Sequence, residues 1–166
     1  MKSSLLMNFT VDKANNKITV EREFSAPVAN VWAAWTQPEL LDQWWAPKPW
    51  KTNTKSMDFR EGGTWFYSMN GPDGEAHWCR NDYKTIDPMK SFSGQDGFTD
   101  ADGNLNTAMP VNNWKNEFNQ TGDSTTVTIQ INFDKLSDLE ATVEMGFKEG
   151  FTMALENLDA LLEKQS

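Results

Sequence analysis

Apolar residues recur at every second position along several short segments of the chain, and this period of two predicts strands with one buried face. Near the start of the chain, Ile18, Val20 and Phe24 alternate with polar neighbours. The clearest alternation is in residues 125–133, whose apolar positions are Val127, Ile129, Ile131 and Phe133. Both segments are therefore predicted to be strands of a half-buried sheet.

Turn sequences divide the region between these two segments into further runs of strand character. Gly62-Gly63 and the segment from Asn70 to Gly74 contain the residues that hairpin turns require. The predicted strands are 51–59, 64–69, 76–86, 91–98 and 114–118. Asp, Gly and Asn are frequent from Asp96 to Asn113, so this stretch is predicted to be mostly a long loop. The neighbouring strands are expected to form an antiparallel meander.

Residues 25–45 carry the signals of two short helices. Ser25 is suited to be the N-cap of the first helix, and Pro27 would lie in its first turn. Pro38 ends that helix, because the residue before a proline avoids helical angles. The second helix has a short apolar stripe that ends at Trp45.

The C-terminal part of the chain changes to a helical period. Its apolar stripe consists of Val143, Phe147, Phe151, Ala154, Leu155, Leu158, Leu161 and Leu162. Ser137 is the expected N-cap, and Glu140 would complete a capping box. One long amphipathic helix is therefore predicted from Ser137 to the end of the sequence.

These elements predict an α+β fold. An antiparallel sheet with one apolar face must cover that face, and the C-terminal helix is the only long amphipathic element available. A curved sheet of about six to seven strands wrapped around one long helix is a helix-grip fold. With no linker or repeat in 166 residues, the segment 1–166 is expected to be a single domain.

Several short motifs, in a fixed order, resemble a known superfamily. The motifs include Ala26-Pro27-Val28 with Val31-Trp32, Pro38-Glu39 with Leu41, Trp44-Trp45 with Pro47, and Gly62-Gly63-Thr64-Trp65. In this order they are similar to the START-like (SRPBCC) superfamily, in the branch that resembles the C-terminal domain of the activator of the heat-shock-protein-90 ATPase. The resemblance extends from about Ile18 to Leu162 and implies a helix-grip fold with a hollow between sheet and helix. Many members of the branch have a small residue where this chain has Arg80, so local packing or pocket shape is expected to differ there.

The charge balance disfavours two classes of partner. Fifteen basic and 24 acidic residues give a net charge of -9, which repels nucleic acid and anionic membranes. Cys79 is the only cysteine, and the apolar run from Leu5 to Met7 is too short for a signal-peptide core. A cytoplasmic location is therefore expected.

Aromatic residues are the strongest chemical signal in the sequence. Trp32 and Trp78 are predicted to be ordinary core residues. Because the family resemblance implies a hollow, other residues are candidates for lining a ligand-binding cavity. These candidates are Trp35, Trp45, Trp65, Tyr67, Met69, His77, Trp114, Phe118, Phe147 and Phe151.

No metal, cofactor or catalytic set is indicated by the sequence. Glu75, His77 and Cys79 alternate on one predicted strand, but a fourth ligand is missing and one strand spaces them too far apart for zinc. Phe98 and Met109 would occupy the first and last ligand positions of a calcium loop around Gly103, where carboxylates are required. One His and one Cys two residues apart cannot form a nucleophile, base and orienting group.

The leading functional expectation is non-catalytic binding of a small, largely apolar ligand between the sheet and the C-terminal helix. The first alternative is a protein-interaction module of the co-chaperone kind, which a large exposed apolar patch would favour. The second is an enzyme of the cyclase or hydrolase kind that uses His77 or buried carboxylates. A deep pocket containing a carboxyl or imidazole with a shifted pKa would favour the enzyme.

Overall fold

A computed structural model describes residues 5–165. The strands are β1 (Met7–Asp12), β2 (Lys17–Phe24), β3 (Lys51–Met57), β4 (Thr64–Asn70), β5 (Ala76–Asp87), β6 (Ser91–Thr99), β7 (Asn112–Thr121) and β8 (Ser124–Phe133). The helices are α1 (Val28–Thr36), α2 (Pro38–Trp44), α3 (Leu136–Glu144) and α4 (Phe147–Gln165).

The strands form one antiparallel sheet in the order β1-β2-β8-β7-β6-β5-β4-β3. Strands β3 to β8 follow one another as a meander, and β2 returns beside β8. The register places Ile18 opposite Ile131 and Val20 opposite Ile129, so the buried positions of both strands face the same side. The α+β class and the helix-grip arrangement are confirmed, but the sheet has eight strands instead of six to seven.

The additional strand is β1, which the sequence prediction missed. Met7, Phe9 and Val11 are partly buried against the core, while Asn8 and Thr10 are exposed. The same period of two predicts β2, but the difference in burial between alternate residues involves only partly buried side chains in β1, which is an edge strand. The alternation of Met7, Phe9 and Val11 with polar neighbours is the sequence signal for this strand.

The predicted N-cap of α1 is wrong. The N-cap is Pro27, which is extended at φ -68° and ψ 158° and makes no side-chain capping bond. The first helical N–H, from Val28, donates instead to Oε1 of Gln120 on β7, at 2.9 Å. Gln120, which is distant in sequence, therefore supplies the hydrogen-bond acceptor that the sequence predicts from Ser25.

The C-terminal region forms two helices where one was predicted. The N-cap of α3 is Lys135, so Ser137 lies inside the helix and the expected capping box does not form. Glu140 pairs instead with Lys13 at 3.3 Å. Gly146 separates α3 from α4 at φ 88°, a left-handed conformation that favours glycine. Only α4 is the long helix of the grip.

One half of the core is densely packed. Trp35 lies against Trp44 with ring centroids 4.6 Å apart and against Phe118 at 5.6 Å. Beside these rings, Arg22 of β2 and Asp159 of α4 form a buried ion pair. Leu155, Leu158, Leu161 and Leu162 of α4 are buried in the same core cluster. We refer to this region, between β2, β8, α1, α2 and the C-terminal part of α4, as the packed half.

The long loop is shorter than predicted, and Trp78 is not a core residue. Strand β6 extends to Thr99 and β7 begins at Asn112, because the polar residues at these ends continue the ladder. Arg80 Nη1 donates to the Gly103 carbonyl at 3.0 Å and holds the remaining loop against the sheet. Trp78 is half-buried and packs on Phe66, with ring centroids 5.1 Å apart.

Candidate functional site

A cavity of about 380 Å³ lies between the sheet and the junction of α3 and α4. We call it the inner cavity. The sheet contributes large side chains to it, including Tyr67 on β4, Trp114 on β7 and Phe133 on β8. The helices and the turn between them contribute Ala141, Thr142, Met145, Phe147, Gly150 and Phe151.

Three small residues of α3 and α4 leave part of the space opposite the sheet unfilled, beside the rings of Phe147 and Phe151. Ala141 and Thr142 bring little volume to the α3 side of the cavity, and Gly150 on α4 brings no side chain. A Cβ built on Gly150 would have only Pro47 Cγ nearby, at 3.7 Å. The space that leucines fill in the packed half therefore stays open at this end of the helices.

A second, more open cavity of about 600 Å³ adjoins the inner one. We call it the outer cavity. Trp50 and His77 stack on its wall with ring centroids 5.3 Å apart. Both cavities share the lining residues Pro47, Met69, Phe98, Met109 and Met145. Flexible methionine side chains therefore surround the passage between them, where they can adapt to molecules of different shape.

Three ionisable side chains lie on the sheet side of the inner cavity. Burial raises the pKa of Asp96 to about 7, and the negative charge of Asp82 adds to this effect, while the hydroxyl of Tyr67 favours the carboxylate and opposes it. Burial also raises the pKa of Tyr67 and of the Cys79 thiol well above their ordinary values. Near neutral pH, Asp96 is therefore the group among these three that changes charge.

Polar atoms without partners cluster at the same place. Asp96 and Asn112 are directly opposite each other on β6 and β7. The Oδ1 atom of each is buried and makes no hydrogen bond, and neither does the Nε1 atom of Trp114. All three residues line the inner cavity. Buried polar atoms normally have hydrogen-bond partners. This cluster therefore offers unpaired donors and acceptors to a ligand.

The structure brings most of the candidate residues to the two cavities. Those that line the inner cavity are Trp45, Tyr67, Met69, Trp114, Phe147 and Phe151. His77 lies at the outer cavity, exposed and stacked on Trp50. Trp35, Trp65 and Phe118 line neither cavity, because their rings are buried among other core side chains.

Sequence reasoning missed the polar end of the inner cavity. Asp96 stands between Gln95 and Gly97, at the start of the stretch whose composition predicts a long loop. Its inward position follows from its place in β6, two residues from Phe98 and therefore on the same face. The signal was available in the alternation of β6, but Asn112 could be placed beside it only once the pairing of β6 with β7 was known.

Within residues 5–165, no three His, Cys, Asp or Glu side chains converge in a way that would hold a metal ion. Glu75, His77 and Cys79 do not form such a group. No helix in this part of the chain has the length and apolar character needed to cross a membrane.

The fold and about a third of the sequence are shared with solved structures. A crystal structure of a protein from Mycobacterium smegmatis is 32% identical, with 95% of this chain and 96% of that chain covered and a TM-score of 0.87. A solution structure from Arthrobacter aurescens is 29% identical, with 95% and 91% covered and a TM-score of 0.89. One from Staphylococcus epidermidis is also 29% identical, with 95% of both chains covered and a TM-score of 0.84.

A comparison with curated proteins gave no significant match. The family model described as "Activator of Hsp90 ATPase homolog 1-like protein" matches residues 25–163. This match spans α1 and α2, strands β3 to β8 and both C-terminal helices. The chain therefore belongs to the family of activator of Hsp90 ATPase homolog 1-like proteins, within the START-like superfamily.

Proposed function

We propose that the protein binds a small, largely apolar ligand in the inner cavity, without catalysis. The observation that carries this proposal is the cavity itself, because about 380 Å³ of space lies within the size range of ligand sites. Its lining is mostly aromatic and aliphatic, with a few polar groups at one end. That combination supplies apolar contact for the body of a ligand and a fixed orientation for its polar part.

The rings around the cavity favour a ligand with a flat or cyclic body. Trp114 and Phe151 meet edge to face with centroids 5.8 Å apart, and Phe147 stacks on Phe151 at 5.2 Å. Such a wall offers both ring faces and ring edges, which suit aromatic and alicyclic groups. The methionines at the passage allow entry without a large rearrangement of the backbone.

Tryptophan emission provides the test. A panel of fatty acids, sterols and aromatic metabolites is titrated into the protein, and calorimetry follows on each compound that shifts the spectrum. Binding should change the surroundings of Trp45 and Trp114. Gly150→Leu places a side chain in the cavity near Pro47 and should abolish binding, whereas Gly150→Ala, the matched control, should retain it. Equal binding by both variants would place the ligand elsewhere.

A second candidate function is supported by one specific observation. Asp96 is a carboxyl group in the inner cavity, and burial raises its pKa to about 7, a range typical of general acids and bases in enzymes. Under this alternative, a compound extracted with the protein would be chemically changed on incubation with the wild type and unchanged with Asp96→Asn. Mass spectrometry of the incubated compound distinguishes this from simple binding.

The family match supports a third candidate function, a protein-interaction module of the co-chaperone kind. Exposed large apolar side chains come together at the passage, where Met109 and Met145 are 36% and 66% exposed. If no compound shifts the emission spectrum, a protein partner at this surface becomes the better account. For each of these functions we propose a cytoplasmic location, where small molecules and chaperones are both present.

A further inference from the structure

We propose that the ligand of the inner cavity carries a protonated amine on its apolar body, and that the Asp96 carboxylate and the Asn112 side-chain oxygen receive this ammonium group. The inference rests on the proposed function, because it names the chemistry of the ligand for the same cavity. It is carried by the position of hydrogen-bond acceptors, the charge of the lining and the arrangement of the aromatic rings.

Two acceptor atoms are adjacent and lack partners, although the Tyr67 hydroxyl also acts on the Asp96 carboxylate. Asp96 and Asn112 face each other across β6 and β7, and the Oδ1 atoms of both are buried without a hydrogen bond. An ammonium group has three N–H donors and no acceptor, so it can serve two neighbouring oxygens at once. A buried acceptor without a hydrogen bond destabilises the protein. A ligand that donates a hydrogen bond to it therefore binds more tightly.

The charge of the lining selects a cation. Among residues 5–165, those that line the inner cavity include no Lys, Arg or His. Asp82, whose negative charge also acts on Asp96, does not line the cavity and is paired with Arg80 at 2.9 Å, so the Asp96 carboxylate is the main source of negative charge. The hydroxyl of Tyr67 and the thiol of Cys79 stay uncharged near neutral pH. A ligand carboxylate would therefore be repelled by the Asp96 carboxylate, whereas an ammonium group would be attracted, and its charge-assisted hydrogen bonds would offset the cost of losing its water.

Three aromatic residues stand around the same space. Trp45 lies 5.9 Å from Trp114 and 6.1 Å from Phe151, and Trp114 lies 5.8 Å from Phe151, all measured between ring centroids. Ring faces attract cations, and cages of such rings are used to bind organic ammonium ions. The indole N–H of Trp114 is a donor and plays no part in the ammonium contact.

Ligand binding to a protonated Asp96 would have the opposite pH dependence to ammonium binding. A protonated Asp96 could donate to a neutral carbonyl or hydroxyl, and such binding would weaken as pH rises. Ammonium binding requires the carboxylate and should strengthen as pH rises through about 7, where Asp96 loses its proton.

Other charged groups near the cavity lie outside its lining. The charged groups of α3 and α4 nearest the cavity in sequence, Glu144, Lys148 and Glu149, are exposed and do not line it. His77 faces the outer cavity.

The test uses three probes that share one apolar body: 4-phenylbutylamine, 4-phenylbutan-1-ol and 4-phenylbutyrate. Calorimetry on the wild type at about pH 8 should show the amine binding roughly tenfold or more tightly than the alcohol, with the acid weakest. At about pH 5.5 the advantage of the amine over the alcohol should shrink, because Asp96 is then protonated.

Two variants separate the cavity from general charge effects. Asp96→Asn should lower the affinity for the amine to that for the alcohol, and a thermal scan checks that this variant is folded. Asp102→Asn removes the same charge from an exposed loop position and should keep the preference for the amine. This control matters because a net charge of -9 attracts any cation weakly.

The results distinguish the inference from the proposed function. Equal affinities for amine and alcohol in the wild type, or an unchanged preference for the amine in Asp96→Asn, would overturn the ammonium site and leave apolar binding intact. Tighter binding of the alcohol at low pH would show that Asp96 donates instead. Failure of all three probes, together with failure of the wider panel, would overturn the proposed function as well.

Discussion

The packed half of the core and the region around the inner cavity are both rich in aromatic side chains, but only the first is filled. In the packed half, Leu155 and Leu158 of α4 are fully buried and meet the rings of α1 and α2. Around the cavity, the helical lining combines the rings of Phe147 and Phe151 with the small residues Ala141 and Gly150. Aromatic content therefore does not decide whether a space is hollow, because rings line both regions and the small residues among them leave one of the two unfilled.

Truncations in the two regions should differ most strongly in stability. Leu158→Ala should lower the free energy of unfolding by about 3 to 5 kcal/mol, because the side chain is 0% exposed and its removal leaves a new void. Phe151→Ala should cost less than about 3 kcal/mol, because the ring already borders open space. Urea denaturation measures both values.

Lys148→Ala, on the exposed side of α4, is the control and should change stability by no more than about 0.5 kcal/mol. If Phe151→Ala costs as much as Leu158→Ala, the cavity is filled in solution by rearranged side chains, and the contrast between the two regions disappears.

Asp96 should make the region around the cavity sensitive to pH. Between its ordinary value of 3.8 and about 7, the folded protein holds a proton that the unfolded chain has released. The contribution of Asp96 to stability therefore falls as pH rises through this window. Asp96→Asn should be more stable than the wild type at about pH 8, by roughly 1 to 3 kcal/mol, and nearly equal to it at about pH 4.

Denaturation midpoints of the wild type and this variant across the pH range give the difference directly. Asp102→Asn supplies the baseline for losing one exposed carboxylate. A constant difference between the wild type and Asp96→Asn at all pH values would mean that Asp96 is solvated and has an ordinary pKa.

Two glycines at the junction of α3 and α4 should respond to alanine in opposite directions. Gly150→Ala should stabilise the protein by about 0.5 to 1 kcal/mol, because it removes a flexible residue from a helix and the new Cβ makes only an ordinary contact with Pro47. Gly146→Ala should destabilise by about 1 kcal/mol or more, because φ is 88° there. Stabilisation by both changes would show that the helix is continuous.

The fold could be predicted from the sequence because its signals are local. The alternation of Val127, Ile129 and Ile131 is a property of neighbouring residues, and it correctly identified a strand with one buried face. The break at Gly146 was missed for a related reason, since Val143 and Phe147 keep the same helical stripe across it. Periodicity reports which face is buried and not whether the backbone is continuous.

The cavity lining could be predicted only in part, because it depends on distances between elements. Trp35 and Trp45 both lie on short apolar stripes, but the first meets Trp44 and Phe118 and the second meets open space. The pair of Asp96 and Asn112 depends on strand register, which no local pattern reveals. The polar end of the cavity therefore required the three-dimensional structure.

Methionine methyl groups offer the most direct test of a ligand cavity between sheet and helices. The protein is labelled with ¹³C at the methionine methyl positions, and spectra are recorded while 4-phenylbutylamine is added. The signals of Met69, Met109 and Met145, which line both cavities, should shift together with one saturation curve. Met89 and Met153, exposed at 44% and 41% and outside both cavities, should stay in place. Shifts at Met89 or Met153 with none at Met69 would contradict the account.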